Sequence, residues 1–298
     1  MIRRFLTPLA LLCALLFPGA AGAKIRVAAS INDLASIANT VGGDQVEAFA
    51  IARPIDDVHR VEVLPSYMVK VSRAQMFLKV GLGLDQWADG IIDGSRNDRI
   101  VIVDCSAGVP VLEKPTGQVN ASMGDVHPNG NPHYWLDPRN GAIAARTIAE
   151  ALAKSDPSHA ADYRARAEAF AKEAEAAWTR GKAAADALPA KVMITYHRSW
   201  SYLANAFGIE VAAEAEPVPG IPPTAKHLAE LTTIVKARRI PLFLQEPYFS
   251  EEAGNFLARE GGLRTVVLSP SCGSPAAGSY LAHFGEILGA LAGGKGRP

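Results

Sequence analysis

Residues 124–138, GDVHPNGNPHYWLDP, separate two kinds of sequence in this chain of 298 residues. Before them short apolar segments alternate with helical patterns, and directly after them a long alanine-rich helical region begins. The stretch holds two of the seven histidines, His127 and His133, among three prolines and two glycines. A turn-rich backbone of this kind lets a histidine point its ring at groups outside its own element.

The apolar spacing on both sides of this stretch predicts a series of strands and helices. Strands are predicted at residues 24–29, 45–52, 76–80, 99–104, 191–196, 209–213, 242–245 and 264–268. Helices are predicted at residues 34–41, 66–73, 84–93, 141–154, 160–187, 200–207, 225–237, 251–260 and 276–291. Strands that alternate with helices imply mostly parallel sheets with helices on both faces.

The helical pattern at residues 160–187 is unusually long and has only Gly181 against it. At 1.5 Å per residue such a helix would be roughly 40 Å long, which is the span of a domain. It could be an ordinary packed helix, but α/β units on both sides favour a rigid strut. We therefore predict an α/β fold of two lobes, each a mostly parallel sheet flanked by helices, joined by a long rigid α-helix. The expected limits are residues 24–155 for the N-terminal lobe, 156–188 for the linking helix and 189–298 for the C-terminal lobe.

The first 23 residues have the pattern of a secretory signal peptide. Arg3 and Arg4 precede a short apolar run at residues 9–17, and residues 21–23 are small. No later segment reaches the roughly 18 apolar residues that a membrane helix needs. We expect a soluble, monomeric protein that is exported to the periplasm.

Charge and cysteine content bear on which kinds of function and which cross-links this protein can have. The chain has 30 basic and 30 acidic residues, and no basic cluster stands out, which argues against nucleic-acid binding. After the signal peptide two cysteines remain, Cys105 and Cys272. In an oxidising compartment they could form one disulfide or remain two free thiols.

Four candidate site residues share one kind of position: His59, His133, His197 and Glu246 each follow a strand or lie in a loop that leaves a sheet. Ligands of open α/β sheets bind beyond the carboxyl ends of the strands, so two facing lobes would bring these side chains into one cleft. Imidazole nitrogens suit zinc and other divalent transition metals. No short motif such as His-Glu-x-x-His is present, so spacing alone is a weak signal.

Several longer motifs carry a family resemblance over essentially the whole mature chain. They are Pro54…Asp57-Val58-His59…Glu62…Pro65-Ser66, Asn131-Pro132-His133-Tyr134-Trp135-Leu136-Asp137-Pro138, Tyr196-His197…Tyr202-Leu203…Phe207-Gly208, Glu246-Pro247-Tyr248-Phe249-Ser250 and Val267-Leu268-Ser269-Pro270. The set resembles the substrate-binding proteins of zinc- and manganese-type metal ABC transporters. The resemblance implies a metal held between two lobes, with His59, His133 and His197 as ligands.

The fourth ligand is where this chain departs from the family. The resemblance implies a carboxylate in an Asp-Pro pair after the last strand, but Ser269 stands there. Water or Glu246 is the favoured replacement, and Cys272 is a minority alternative, since an exposed thiolate would oxidise.

Other candidates receive accessory roles or none. Asp137 is expected to cap the following helix or to orient a histidine. His127 is expected to be a solvated loop residue, or alternatively a transient catcher that passes metal to the cleft. The three remaining histidines, His159, His227 and His283, are expected at the surface.

The expected function is capture of a divalent metal and its delivery to an ABC permease driven by an ATPase. Three imidazoles without an assured carboxylate favour Zn²⁺ as the cargo over Mn²⁺, with Fe²⁺ a further alternative. A metallochaperone is a further candidate partner. No bond is made or broken, so the protein is not expected to be an enzyme. The rival functions are a zinc-dependent hydrolase with Glu246 as base, and an adhesin or metal chaperone without a permease.

Overall fold

The computed structural model describes residues 23–117, 119–120 and 123–293. The expected signal peptide lies outside these residues apart from its last position. Within them all eight predicted strands and nine predicted helices are present, with ends that differ by a few residues. The fold prediction of two parallel-sheet α/β lobes is confirmed.

The first sheet has four parallel strands in the order β2-β1-β3-β4. The strands are Ile25–Ala29 (β1), Val46–Ala50 (β2), Met76–Lys79 (β3) and Val101–Asp104 (β4), and the helices between them are Asn32–Gly42 (α1), Pro65–Val71 (α2) and Trp87–Ser95 (α3). The central strands are almost wholly apolar and buried because helices cover both faces. Because the four strands are parallel, their carboxyl ends lie at the same edge of the sheet.

Two helices follow, Pro138–Ser155 (α4) and Ala160–Asp186 (α5), with a short 3₁₀ turn between them. The first begins three residues earlier than its alanine-rich pattern predicts. Asp137 caps its first turn and Pro138 occupies the first helical position, where a missing N–H costs nothing. The two helices pack along each other, and paired charges such as Arg146 with Glu168 join their exposed faces.

The second sheet repeats the first, with four parallel strands in the order β6-β5-β7-β8. The strands are Val192–Thr195 (β5), Glu210–Glu214 (β6), Leu242–Gln245 (β7) and Arg264–Val267 (β8), and the helices are Ser201–Phe207 (α6), Ala225–Arg238 (α7), Glu252–Gly261 (α8) and Ser279–Leu291 (α9). Thr224 caps α7 by accepting the backbone N–H of His227.

The long helix α5 spans both lobes but is packed along its length. It contacts α1, α6 and α9 as well as α4, and one continuous hydrophobic core runs through both lobes. Gly181 is required there, because a Cβ at this position would lie 2.4 Å from the ring of Phe207. Since α9 returns from the end of the chain to pack on α1, the lobe limits given above stay a prediction.

Among the described residues Cys105 and Cys272 are both free and buried, so the alternative of two thiols holds. No helix within the described ranges combines the length and the apolar character needed to cross a bilayer.

Candidate metal centre

Three histidines from separate parts of the chain converge between the two sheets. His59 lies in the loop that follows β2, His133 comes directly before a 3₁₀ turn at Tyr134–Leu136, and His197 follows β5. One ring nitrogen of each lies within 4.8 Å of the others. Their ring centroids are 5.1 to 5.5 Å apart. Loops at the carboxyl ends of two facing parallel sheets produce this convergence.

Two of these rings are fixed by an oxygen acceptor two residues earlier in the chain. The Nδ1 of His59 lies 2.8 Å from Oδ1 of Asp57, and the Nδ1 of His133 lies 3.0 Å from Oδ1 of Asn131. The Nε2 of both histidines is buried and has no hydrogen-bond partner among the described residues. A buried nitrogen without a partner is costly unless a ligand completes it, so both Nε2 atoms are candidates to bind a metal.

His197 is held by an acceptor far from it in sequence. Its Nδ1 lies 2.6 Å from Oε2 of Glu216, which also accepts the backbone N–H of Gly220 at 2.9 Å. Both His197 and Glu216 are buried. Burial alone would lower the pKa of His197, but the hydrogen bond and the negative charge of Glu216 raise it above its usual value.

His133 has the opposite electrostatic setting. Burial holds its pKa well below the usual range, and the neighbouring His59 and His197 lower it further. Its ring lies against Trp135, whose Nε1 donates to the carbonyl of Pro270 at 2.8 Å. The imidazole is therefore neutral, buried and held in place, as a metal ligand must be.

The second lobe also fixes the backbone of the His133 loop. The Tyr202 hydroxyl donates to the carbonyl of Asn131 at 2.9 Å, and the Asn131 amide donates to the carbonyl of Arg198 at a similar distance. The Tyr280 hydroxyl donates to the carbonyl of Trp135 at 2.7 Å. These bonds tie the His133 loop of the first lobe to the second lobe.

Glu246 does not belong to the metal-site group of His59, His133 and His197, whose ligand atoms lie within 4.8 Å of one another. It is fully buried, and neither carboxylate oxygen has a hydrogen-bond partner among the described residues. Burial raises its pKa to about 7, although the nearby His197 acts in the other direction. Tyr248 and Ser199 are close to it. Glu246 thus lies beside the histidines rather than among them.

Ser269 and Cys272, the two candidates that come after the last strand, make hydrogen bonds away from the histidines. The Ser269 hydroxyl lies 2.6 Å from the carbonyl of Pro54 and accepts the backbone N–H of Ser271 at 3.0 Å, so it joins loops of the two lobes. The Cys272 thiol points to the carbonyl of Ser274 at 3.3 Å, and burial raises its pKa. Neither side chain is a candidate ligand in this arrangement.

Asp137 caps a helix and leaves the orientation of His133 to Asn131. It accepts the backbone N–H of Arg139 at 2.9 Å and forms an ion pair of 2.7 Å with the guanidinium of the same residue. Of the two roles expected for Asp137, the structure shows the cap.

The expectation that His283 lies at the surface is wrong, and the His127 ring is only partly exposed. The His127 ring stacks on His59 with centroids 5.5 Å apart, and its Nε2 is buried, so this residue is not simply solvated. His283 is buried rather than at the surface, with its Nε2 3.1 Å from the carbonyl of Ser269. Helix packing buries the His283 ring and a loop contact covers Nε2 of His127, which their local sequence does not indicate.

Sequence reasoning did not assign the three acceptors that orient the histidines. Asp57 and Asn131 each precede their histidine by two residues, and this Asp-x-His or Asn-x-His spacing is a signal that could have found them. Glu216 is 19 residues beyond His197, and nothing local links the two. A cavity of about 230 Å³ lies beside His59, His197 and Glu216 between the lobes.

Comparison with known proteins identifies the family of the chain. The family described as "Zinc-uptake complex component A periplasmic" matches residues 27–294. The zinc uptake protein ZnuA of Brucella abortus is 31% identical over 138 residues, which cover 46% of this chain and 41% of that protein. The iron-binding protein YfeA of Yersinia pestis is 25% identical over 82% of this chain and 76% of its own length.

Solved structures extend the likeness to the whole fold. A crystal structure of ZnuA superimposes with a TM-score of 0.79 at 25% identity, over 91% of this chain and 99% of that one. A match of one family over nearly all described residues, together with the same two-lobed fold, leads to one assignment. The chain belongs to the family of the periplasmic component A of zinc-uptake complexes.

Proposed function

We propose that this protein captures Zn²⁺ between its lobes through His59, His133 and His197 and delivers it to an ABC permease driven by an ATPase. The observation that carries the proposal is the convergence of three imidazole nitrogens within 4.8 Å. A bound metal would satisfy the buried Nε2 atoms of His59 and His133, which have no other partner among the described residues.

The donor set supports zinc as the cargo. Zn²⁺ favours imidazole nitrogen in near-tetrahedral sites, whereas Mn²⁺ favours carboxylate oxygen. The three rings supply nitrogen only, and their acceptors Asp57, Asn131 and Glu216 fix the Nδ1 tautomer and raise ligand basicity. Manganese and iron remain alternative cargoes, since one structural relative is a Mn²⁺ complex and YfeA is iron-binding.

A hydrolase is the rival from another class. It would need a general base within hydrogen-bond reach of a metal-bound water. Glu246, the candidate base, lies outside the histidine group. The family is a transport family rather than an enzyme family, which favours binding over catalysis.

The test is a metal titration of the purified mature protein, with zinc and manganese in competition. We expect one tightly bound zinc per chain, lost in His59→Ala and in His197→Ala. His227→Ala is the matched control, because this histidine lies on α7 and bonds to the carbonyl of Glu214. Binding of manganese in preference to zinc, or unchanged binding in the first two variants, would contradict the proposal.

The periplasmic location agrees with the family, and residues 1–23 remain our proposed signal peptide. The proposed partners are a permease and its ATPase, with a metallochaperone as a further candidate and a monomer as the proposed state. An adhesin or chaperone without a permease is the remaining rival. Zinc uptake that continues unchanged after deletion of the gene would favour that rival.

A further inference from the structure

We propose that His127 supplies the fourth ligand of the bound metal, the position that Ser269 leaves without a carboxylate. This proposal rests on the proposed function, since it concerns the same cargo.

The first argument is an unsatisfied atom. The Nε2 of His127 is buried and has no hydrogen-bond partner among the described residues. The same is true of Nε2 in His59 and in His133, and of no other histidine nitrogen in the described chain. Buried nitrogens of this kind rarely remain unpaired, so three of them at one place indicate a ligand that binds them together.

The second argument is position. The His127 ring stacks on the His59 ring with centroids 5.5 Å apart and planes inclined by 25°. A small cavity is lined by His127, His133 and His197 together. His127 therefore lies beside His59, which is itself a candidate ligand, and lines one cavity with the other two histidines of the group.

The third argument is that the loop is fixed to the far lobe while the ring is not fixed. The backbone N–H of Asp125 donates to the carbonyl of Pro219 at 2.8 Å. A Cβ on Gly124 would lie 2.1 Å from this carbonyl oxygen, and a Cβ on Gly220 would lie 2.2 Å from the Asp125 carboxylate. Glycine is needed at both places because the two loops touch, so the backbone three residues before His127 is held against the second lobe.

The ring of His127 must move a short way to bind. Its nitrogens lie outside the group whose members are within 4.8 Å of one another. The Nδ1 atoms of His59, His133 and His197 are each held by an oxygen, but that of His127 makes no hydrogen bond to a described residue. Among the described residues, His127 is therefore the one of these four histidines whose ring could rotate without breaking a side-chain hydrogen bond of Nδ1 to an oxygen.

The other candidates fit less well. Ser269 is bonded to Pro54, and Cys272 is buried and turned to the carbonyl of Ser274. Glu246 lies outside the histidine group, although its carboxylate has no partner among the described residues. Water remains as the simple rival, and the experiment is designed to separate it from both His127 and Glu246.

The experiment is zinc X-ray absorption spectroscopy on the zinc-loaded wild type, His127→Ala, Glu246→Gln and the control His227→Ala. We expect four imidazoles in the wild type, in Glu246→Gln and in the control. We expect three imidazoles and one oxygen in His127→Ala, with zinc affinity lower by at least about tenfold. Circular dichroism and thermal unfolding of each variant without metal show whether the fold is kept.

The outcomes separate this proposal from the one on which it rests. A wild type that binds no zinc would overturn the proposed function. A wild type that binds zinc through three imidazoles and one oxygen, unchanged in His127→Ala, would overturn the role of His127 alone. A loss of zinc affinity in Glu246→Gln would then assign the position to Glu246, and an unchanged affinity would assign it to water.

Discussion

The bond between His197 and Glu216 makes a sharp prediction about zinc affinity. Oε2 of Glu216 lies 2.6 Å from Nδ1 of His197 and also accepts the N–H of Gly220. Glu216→Ala removes the acceptor and its charge, so the imidazole loses both its fixed tautomer and part of its basicity. Glu216→Gln keeps the shape and an oxygen but removes the charge.

Partners that orient metal ligands typically contribute 10–100-fold in affinity, or about 1.4–2.7 kcal/mol. Glu216 is 6% exposed, so its charge is little screened and the upper end of this range applies to Glu216→Ala. For Glu216→Gln, which retains a hydrogen-bond acceptor, we expect a loss of about tenfold.

The assay is competition for zinc with a chromophoric chelator at neutral pH. Glu210→Gln is the control, since Glu210 lies on β6 nearby but is exposed and paired with Arg238. We expect the order wild type and Glu210→Gln, then Glu216→Gln, then Glu216→Ala. Equal zinc affinity in Glu216→Ala and the wild type, with the fold intact, would refute the reasoning.

Three further predictions concern pH and stability. Because the pKa of His197 is raised, protons compete with zinc for this ring as the pH falls through that pKa. Zinc affinity measured by titration from pH 8 to pH 5 should therefore be full above the raised pKa and decline below it. An affinity that does not change with pH would contradict this. Asp137→Ala should lower the free energy of unfolding in urea by about 1 kcal/mol through loss of a helix cap and leave zinc affinity unchanged. Gly181→Ala should lower the free energy of unfolding by about 1 kcal/mol, because the clash with Phe207 outweighs the gain in helix propensity. Gly285→Ala, where the added methyl group meets open space on α9, should raise it by up to about 1 kcal/mol. A change of the same sign in both variants would refute the packing argument.

The regular elements could be predicted because their signals are local. Short apolar runs bounded by glycine or proline mark the buried strands, and alanine-rich spacing marks α4 and α5. The observed ends of helices differ from the predicted ends where capping residues decide them, as at the start of α4, which Asp137 caps and Pro138 opens. Family motifs also placed His59, His133 and His197 at loop positions, and the structure brings these three together.

What the sequence did not supply are contacts between residues distant in the chain. Glu216 reaches His197 across 19 residues, and Ser269 reaches Pro54 across 215. The stacking of His127 on His59 and the exclusion of Glu246 from the histidine group depend likewise on how the two lobes pack. Apolar periodicity is a property of neighbours in sequence, so by itself the sequence determined the elements and the candidate histidines. The directions in which buried side chains point follow from lobe packing, so only the tertiary structure decided how each ring is held.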